Sequence, residues 1–346
     1  MTTYIVRRLL QLIPTILMIS VVIYALLALK PGDPIDELRF GNPGITSEDI
    51  ERLKKLYGLD QPVYLRYFYW AARALQGDFG TSRSYSMPAA EYVFKYRLPN
   101  TLLLSGVALL VAFIIAIPTG IFTSLRQHSL ADYSITFLNF IGVSIPIFWL
   151  GILLIYFFNV ECRQCLPAGS VASFDIPFPD WDKIAAQSGG GLSTLSTYLG
   201  RLWDVIFDRI RHLVLPVAAL SALQMASWTR FMRSSMLEVI HLDYVRTARS
   251  KGLQEKMVIF RHALRNAILP IITLVALSVP AAMSGAVLTE TVFSWPGMGR
   301  AIFQSILEND YNVAMVALLF ISILIVLFNL IADITYAFAD PRIRYE

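Results

Sequence analysis

Six runs of this chain are long, apolar and free of charge: 9–29, 98–125, 133–160, 213–229, 266–289 and 311–332. About 20 consecutive apolar residues carry a helix across a hydrocarbon core. No lipid-exposed irregular backbone is tolerated there, because its N–H and C=O groups would lack partners. The fourth run is the shortest and reaches 213–232 if Phe231 and Met232 extend it past Arg230. With 56% hydrophobic and only 16% charged residues, the chain is too apolar for an ordinary soluble enzyme and too poor in charge for disorder. The expected fold class is therefore an all-α membrane protein with six transmembrane helices. The first run has no Ala-x-Ala-like cleavage site before Lys30 and reads as a retained helix.

Charge orients the bundle. Arg7 and Arg8 precede the first span, Arg342 and Arg344 follow the last, and Arg126 and His128 lie in the link 126–132. Between Arg230 and Arg265 there are eight Lys or Arg against Glu238, Asp243 and Glu255. With six spans all four segments share one side, and the positive-inside rule makes it the cytoplasm. The organisation expected is a cytoplasmic N-terminus (1–8), then spans 9–29, 98–125, 133–160, 213–232, 266–289 and 311–332. Extracytoplasmic segments 30–97, 161–212 and 290–310 alternate with the cytoplasmic link 126–132 and loop 233–265, and 333–346 ends the chain inside.

Prolines 14, 118, 146, 216 and 280 interrupt the spans and predict kinks. Ala108, Ala112, Ala116 and Gly120 form a ridge of small residues, as do Ser278, Ala282 and Ala286. Such ridges let helix backbones approach closely. The outer segments read as helical too. Thr46 to Asp49 looks like a capped helix start, followed by Ile50, Leu53 and Leu56 on one face. Tyr64, Tyr67, Phe68, Ala71 and Leu75 mark a second amphipathic run that stops at Gly77. Leu199, Leu202, Trp203, Ile206 and Ile210 mark a third, after a hinge at Gly189, Gly190 and Gly191.

Several chemistries have no motif here. There is no G-x-x-x-x-G-K-[ST] phosphate loop, no H-E-x-x-H and no G-x-S-x-G, and the four histidines are scattered. No catalytic residue, metal site or cofactor of this chain's own is expected. Cys162 and Cys165 form a C-x-x-C pair that is either a local disulfide, as suits an oxidising outer compartment, or two free thiols. Glu290, at a span edge, is the carboxylate considered for a translocation path.

The inner loop carries the strongest signal. Leu237, Ile240, Tyr244 and Ala248 make one apolar stripe on a helix that continues from the fourth span, with Arg246, Arg249 and Lys251 beside it. Gly252 suits a helix C-cap. Leu253, Met257, Phe260 and Leu264 then make a second stripe. An apolar ridge in a basic frame suits insertion into a groove of an acidic-rimmed partner; the alternative is rest on anionic lipid.

The stretch from Asp243, Tyr244, Val245, Arg246, Thr247, Ala248, Arg249 to Lys251, Gly252 and Leu253, continued by Arg261 to Pro270, resembles the Glu-Ala-Ala loop of ABC importer permeases. The likeness is greatest to the dipeptide/oligopeptide/nickel branch. It extends to Pro31-Gly32-Asp33-Pro34, Gly77-Asp78-Phe79-Gly80, Leu288 to Arg300 and Asp340 to Arg344, nearly the whole chain. Arg246 and Thr247 stand where that loop usually has Glu and Ala. The resemblance implies the type I importer permease fold and a transport subunit rather than an enzyme. It implies a homologous second permease, two ATP-binding subunits that hold the ATP and Mg, an extracytoplasmic substrate-binding protein and membrane lipid as partners, and no nucleic acid. Asp243, Tyr244, Arg246, Thr247, Ala248, Arg249, Lys251, Gly252 and Leu253 would couple to the ATPases. Di- or oligopeptides are the expected cargo, with nickel chelates, glutathione or oligosaccharides as alternatives. An ion-coupled secondary carrier is the rival class.

Overall fold

The computed structural model describes residues 2–30, 48–49, 51–52, 60–188, 191–283 and 287–339. Among these the chain is mostly helical, and its one extended pairing is a bridge between Thr81 and Pro88. The principal helices are α1 (Thr2–Ala28), α2 (Val63–Ala74), α3 (Ala89–Leu125), α4 (Leu130–Ser144), α5 (Ile147–Glu161) and α6 (Trp181–Ser188). They continue as α7 (Leu192–Ile240), α8 (Asp243–Ser250), α9 (Glu255–Ala267), α10 (Leu269–Met283), α11 (Val287–Val292), α12 (Met298–Leu307) and α13 (Tyr311–Ala339).

Among the described residues, three helical stretches are each long and apolar enough to cross a membrane: Arg7–Ala28, Ala89–Leu125 and Tyr311–Ala332. Two bent pairs would add two more, α4 with α5 at 104° and α9 with α10 at 47°. The segment expected as the third span, 133–160, is thus two helices. The break is local chemistry: Ile145, which precedes Pro146, is extended (φ −86°, ψ 125°), the conformation that a following proline favours. The segment 213–232 is the middle of α7, a 49-residue helix about 70 Å long at 1.5 Å per residue. The run 199–210, expected outside, and the segment expected as the fourth span therefore share one unbroken helix. Near 266–289, α10 ends at Met283 and α11 begins at Val287; Ala286 of the second small ridge lies outside the described residues. So do Thr46, Ser47, Ile50, Leu53 and Leu56.

The densest packing joins α3 to α7. Ala108, Ala112, Ala116 and Gly120 are all buried, and Ala112 and Ala116 pack with Trp228. A Cβ at Gly120 would come 2.5 Å from Met232 Cβ, so only glycine allows this approach. Thr119 and Thr229 share a hydrogen bond of 3.1 Å across the same contact, a polar tie between apolar helices. A second cluster, with Met298, Ile302, Val313 and Ala317, seats α12 and α13 against Tyr92 and Val93 at the start of α3. On α2, Tyr67 shares a 2.8 Å hydrogen bond with Ser20 of α1, and Gly77 closes the run with φ +84°.

Candidate functional site

The loop expected inside, 233–265, is two short helices standing on the ends of α3 and α7. The helix from the fourth run stops at Ile240, and His241 and Leu242 turn the chain before α8 starts. The stripe read through Leu237, Ile240, Tyr244 and Ala248 therefore belongs to two helices, and it divides. Val245 and Ala248 are buried, whereas Tyr244 is exposed. At the end of α8 Gly252 has φ +73°. The Gly252 N–H donates to Arg249 O at 2.9 Å and the Leu253 N–H to Ala248 O at 3.4 Å. That pair of bonds is the Schellman closure, which caps the last carbonyls of a helix and needs a left-handed residue at this position.

The second stripe divides as well. Val258, Ile259, Ala263 and Ala267 are buried with Val245, Ala248, Met232, Met236 and Ile271 in one cluster. A π-helical turn over Val258–Ala263 adds a residue to the repeat, so the 3.6-residue spacing of Leu253, Met257, Phe260 and Leu264 does not follow the buried face. Leu264 packs partly against the cluster, while Leu253, Met257 and Phe260 join Leu242 and Tyr244 on the exposed surface. Phe260 is 60% exposed, the most exposed large apolar side chain of this surface. Asp243, Arg246, Thr247, Arg249, Lys251 and Gly252 are also exposed, and of the expected coupling residues only Ala248 faces inward.

Polar contacts hold the two helices together. Arg249 forks onto Glu255, with Nη2 to Oε1 at 2.7 Å and Nε to both carboxylate oxygens at 3.2 Å. This hydrogen bond lowers the Glu255 carboxyl below its ordinary range and raises the already high Arg249. Asn266 donates to Tyr244 Oη at 2.8 Å, and Ser235 on α7 donates to Ala267 O at 2.7 Å. Beside the loop, Asp132 is buried and accepts from Arg233 of α7 at 2.9 Å and from His128 N at 3.1 Å. This tie between the link 126–132 and α7 was not evident from sequence, because its partners lie about 100 residues apart.

Glu290 takes part in a different arrangement. It is 1% exposed. Its Oε1 accepts from Thr101 Oγ1 at 2.9 Å and its Oε2 from Arg300 N at 2.8 Å. Thr101 Oγ1 accepts in turn from Met298 N at 2.7 Å. A Cβ on Gly297 would lie 2.2 Å from Glu290 Oε1, and one on Gly299 would lie 3.0 Å from Oε2. Trp295 is fully buried and donates from Nε1 to Asn100 O at 3.0 Å, while Asn100 Nδ2 donates to Pro296 O at 3.0 Å. The run from Glu290 to Arg300 is thus a turn closed around its own carboxylate and bolted to α3 at Asn100 and Thr101. Cys162 and Cys165 are joined by a disulfide, and Arg163 and Gln164 between them have positive φ.

Comparison with known proteins follows the same extent. The model of the binding-protein-dependent transport system inner membrane component matches residues 116–345, and the model of its N-terminal region matches residues 1–104. The oligopeptide transport system permease protein AppB of Bacillus subtilis is 41% identical over 345 residues, all of both chains. The di/tripeptide transport system permease protein DppB of Pseudomonas aeruginosa is 37% identical and the dipeptide transport system permease protein DppB of Escherichia coli K12 is 36% identical, again across the whole of each chain.

Proposed function

The chain belongs to the family of inner membrane components of binding-protein-dependent transport systems, and from that premise we propose that it is one of two permease subunits of an ABC importer for di- or oligopeptides. The observation that carries the coupling role is the exposed ridge of Leu242, Tyr244, Leu253, Met257 and Phe260, set among Arg246, Lys251 and Lys256. A ridge of this kind fits a groove on a cytoplasmic ATPase. The relatives named for peptide transport support the cargo.

In the mechanism, ATP draws the two ATPases together, and the docked α8 and α9 move with them as a rigid pair. The bundle is thereby switched between inward- and outward-facing forms. The chain contributes half of the path, and the ATP and Mg reside in the partners. Substrate arrives on an extracytoplasmic binding protein. The test is purification of the tagged chain with its operon partners, followed by uptake in proteoliposomes. Two ATPase chains and a second permease should co-purify, and ATP with loaded binding protein should drive labelled dipeptide inward. Uptake without ATPases, driven by an ion gradient, would overturn the importer reading. ATP-driven uptake of a nickel chelate, glutathione or an oligosaccharide but no peptide would replace only the cargo.

A further inference from the structure

We infer that Asp132 and Arg233 are positioning residues of the transport cycle. Their ion pair is held by one bond in this form of the chain and closes to a two-bonded fork in the other, so that it sets the tilt of α4 against α7. The cycle itself rests on the importer reading; the pair rests on the following geometry. Asp132, at the start of α4, is 3% exposed. Arg233 Nη2 donates to its Oδ2 at 2.9 Å, and His128 N donates to the same oxygen at 3.1 Å. Oδ1 of Asp132 and Nε of Arg233 are both buried, and neither has a hydrogen-bond partner among the described residues. A buried polar atom without its bond is costly, and two of them on opposite sides of one pair need one explanation. They are the acceptor and the donor of the bond that would complete a parallel fork. The same chain shows the completed form at Arg249, whose Nε and Nη2 both reach Glu255.

The neighbours of the pair decide which side moves. Met232, next to Arg233, packs so closely on Gly120 that a Cβ there would lie 2.5 Å away, which locks α7 to α3. Met236, one turn further on, is buried with Val245, Ala248 and Val258 of the loop 233–265. Arg233 therefore moves with α3, α7 and that loop. α4 is held more loosely. It joins α3 through the link 126–132, and at Gly142 it meets α7 in an ordinary contact, a notional Cβ standing 3.4 Å from Ala226 Cβ. Beyond the bend at Pro146, α5 packs Ile147, Leu154 and Ile155 on Phe293 of the turn 290–300. A change of tilt at Asp132 is thus passed along α4 and α5 to that turn. The pair stands between the part that faces the proposed ATPases and the part that reaches the turn, where a joint with two positions acts on the cycle.

The experiment uses the assembled transporter in nanodiscs, spin-labelled through Tyr133→Cys and Phe231→Cys, two exposed positions each near one partner of the pair. Cys162 and Cys165 are joined to each other and do not take the label. The label-to-label distance should have two values, one without nucleotide and one with ATP, Mg and vanadate. Arg233→Lys keeps the charge and one bond but lacks the fork geometry. It should assemble and melt as the parent does and hold a single distance under both conditions. ATP-driven uptake of a labelled dipeptide should fall at least about tenfold, the effect of losing a charge-assisted bond. Loss of a merely structural tie would lower the melting temperature without removing the second distance alone. Arg230→Lys, one turn away and exposed, should leave both readouts unchanged. Where Arg233→Lys does not assemble, Asp132→Asn, which keeps an acceptor for Arg233 and His128 N, should show the same loss of the second distance.

An Arg233→Lys chain that shows both distances and imports at the parent rate would overturn the two-position pair. So would a parent whose distance is the same under both conditions while ATP drives uptake; the importer reading would then stand without it. If uptake needs an ion gradient and no ATPase, the importer reading falls. The pair then stands if the gradient moves the distance and Arg233→Lys abolishes that movement, and falls if it does not.

Discussion

The loop 233–265, expected inside, and the turn 290–300, expected outside, are both built around glycine and a carboxylate, yet they are finished in opposite ways. In the turn 290–300, Glu290 is buried, its two oxygens accept from Thr101 and Arg300, and Gly297 and Gly299 leave room for it. In the loop 233–265, Glu255 is exposed and paired with Arg249, Gly252 has nothing within 4 Å of a notional Cβ, and large apolar side chains point away from the protein. The turn 290–300 directs its carboxylate to its own chain, whereas the loop 233–265 leaves large apolar side chains exposed. The first should fail by unfolding when altered, and the second by losing a partner.

The largest effect should follow Glu290→Ala. It leaves the Arg300 N–H and the Thr101 hydroxyl buried without their acceptor, at a cost of about 3 kcal/mol or more. Thermal denaturation of the purified complex should show it, together with poor assembly; Glu290→Gln should lie between the two. A Glu290→Ala chain as stable as the parent would remove the contrast. Gly297→Ala should behave similarly, because its Cβ would meet the carboxylate at 2.2 Å, an overpacking cost of about 1–3 kcal/mol.

Gly252→Pro should spare insertion and most stability but reduce ATP-driven uptake about tenfold or more, since proline cannot take the positive φ that orients α8 against α9. Normal uptake would sink the docking assignment. Phe260→Asp sharpens the comparison further. With a side chain already exposed, it should change stability by less than about 0.5 kcal/mol, while ATPase capture weakens about tenfold, as removal of an anchor residue does. The smallest effect is that of pH on the Arg249–Glu255 pair. Glu255 titrates below its ordinary value, so the pair is intact at neutral pH and is lost only as pH falls through that lowered range. An exposed pair contributes about 0–1 kcal/mol, and Glu255→Gln should remove whatever acid sensitivity of ATPase capture the pair provides.

What could be read from the sequence follows the range of the physics. Gly252 was legible because a helix C-cap is decided within six residues. The ridge Ala108 to Gly120 was legible because one face of one helix sets it. Pro146 gave warning of a bend, although nothing local fixes its 104°. The stripes in the loop 233–265 do not match the buried face for two reasons: the helix stops at Ile240 before a new one starts at Asp243, and the π-helical turn at Val258 shifts the period. The seat of Glu290 was out of reach because Thr101 lies 189 residues away. A lone carboxylate at a span edge looks the same in sequence whatever seats it.

The continuity of α7 has a thermodynamic consequence. From Leu192 to Ile240 there is no break, and its only interior proline is Pro216. Val205, near its first end, and Met236, near its last, are both buried against the rest of the chain. A rod clamped at two levels cannot tilt at one without tilting at the other. In the proposed importer, the binding protein outside and the ATPases inside would then be working on one degree of freedom. Whatever factor the loaded binding protein contributes to closing the ATPases, the closed ATPases must return to the binding protein. Two equilibrium titrations, one from each side of the membrane, should give the same number.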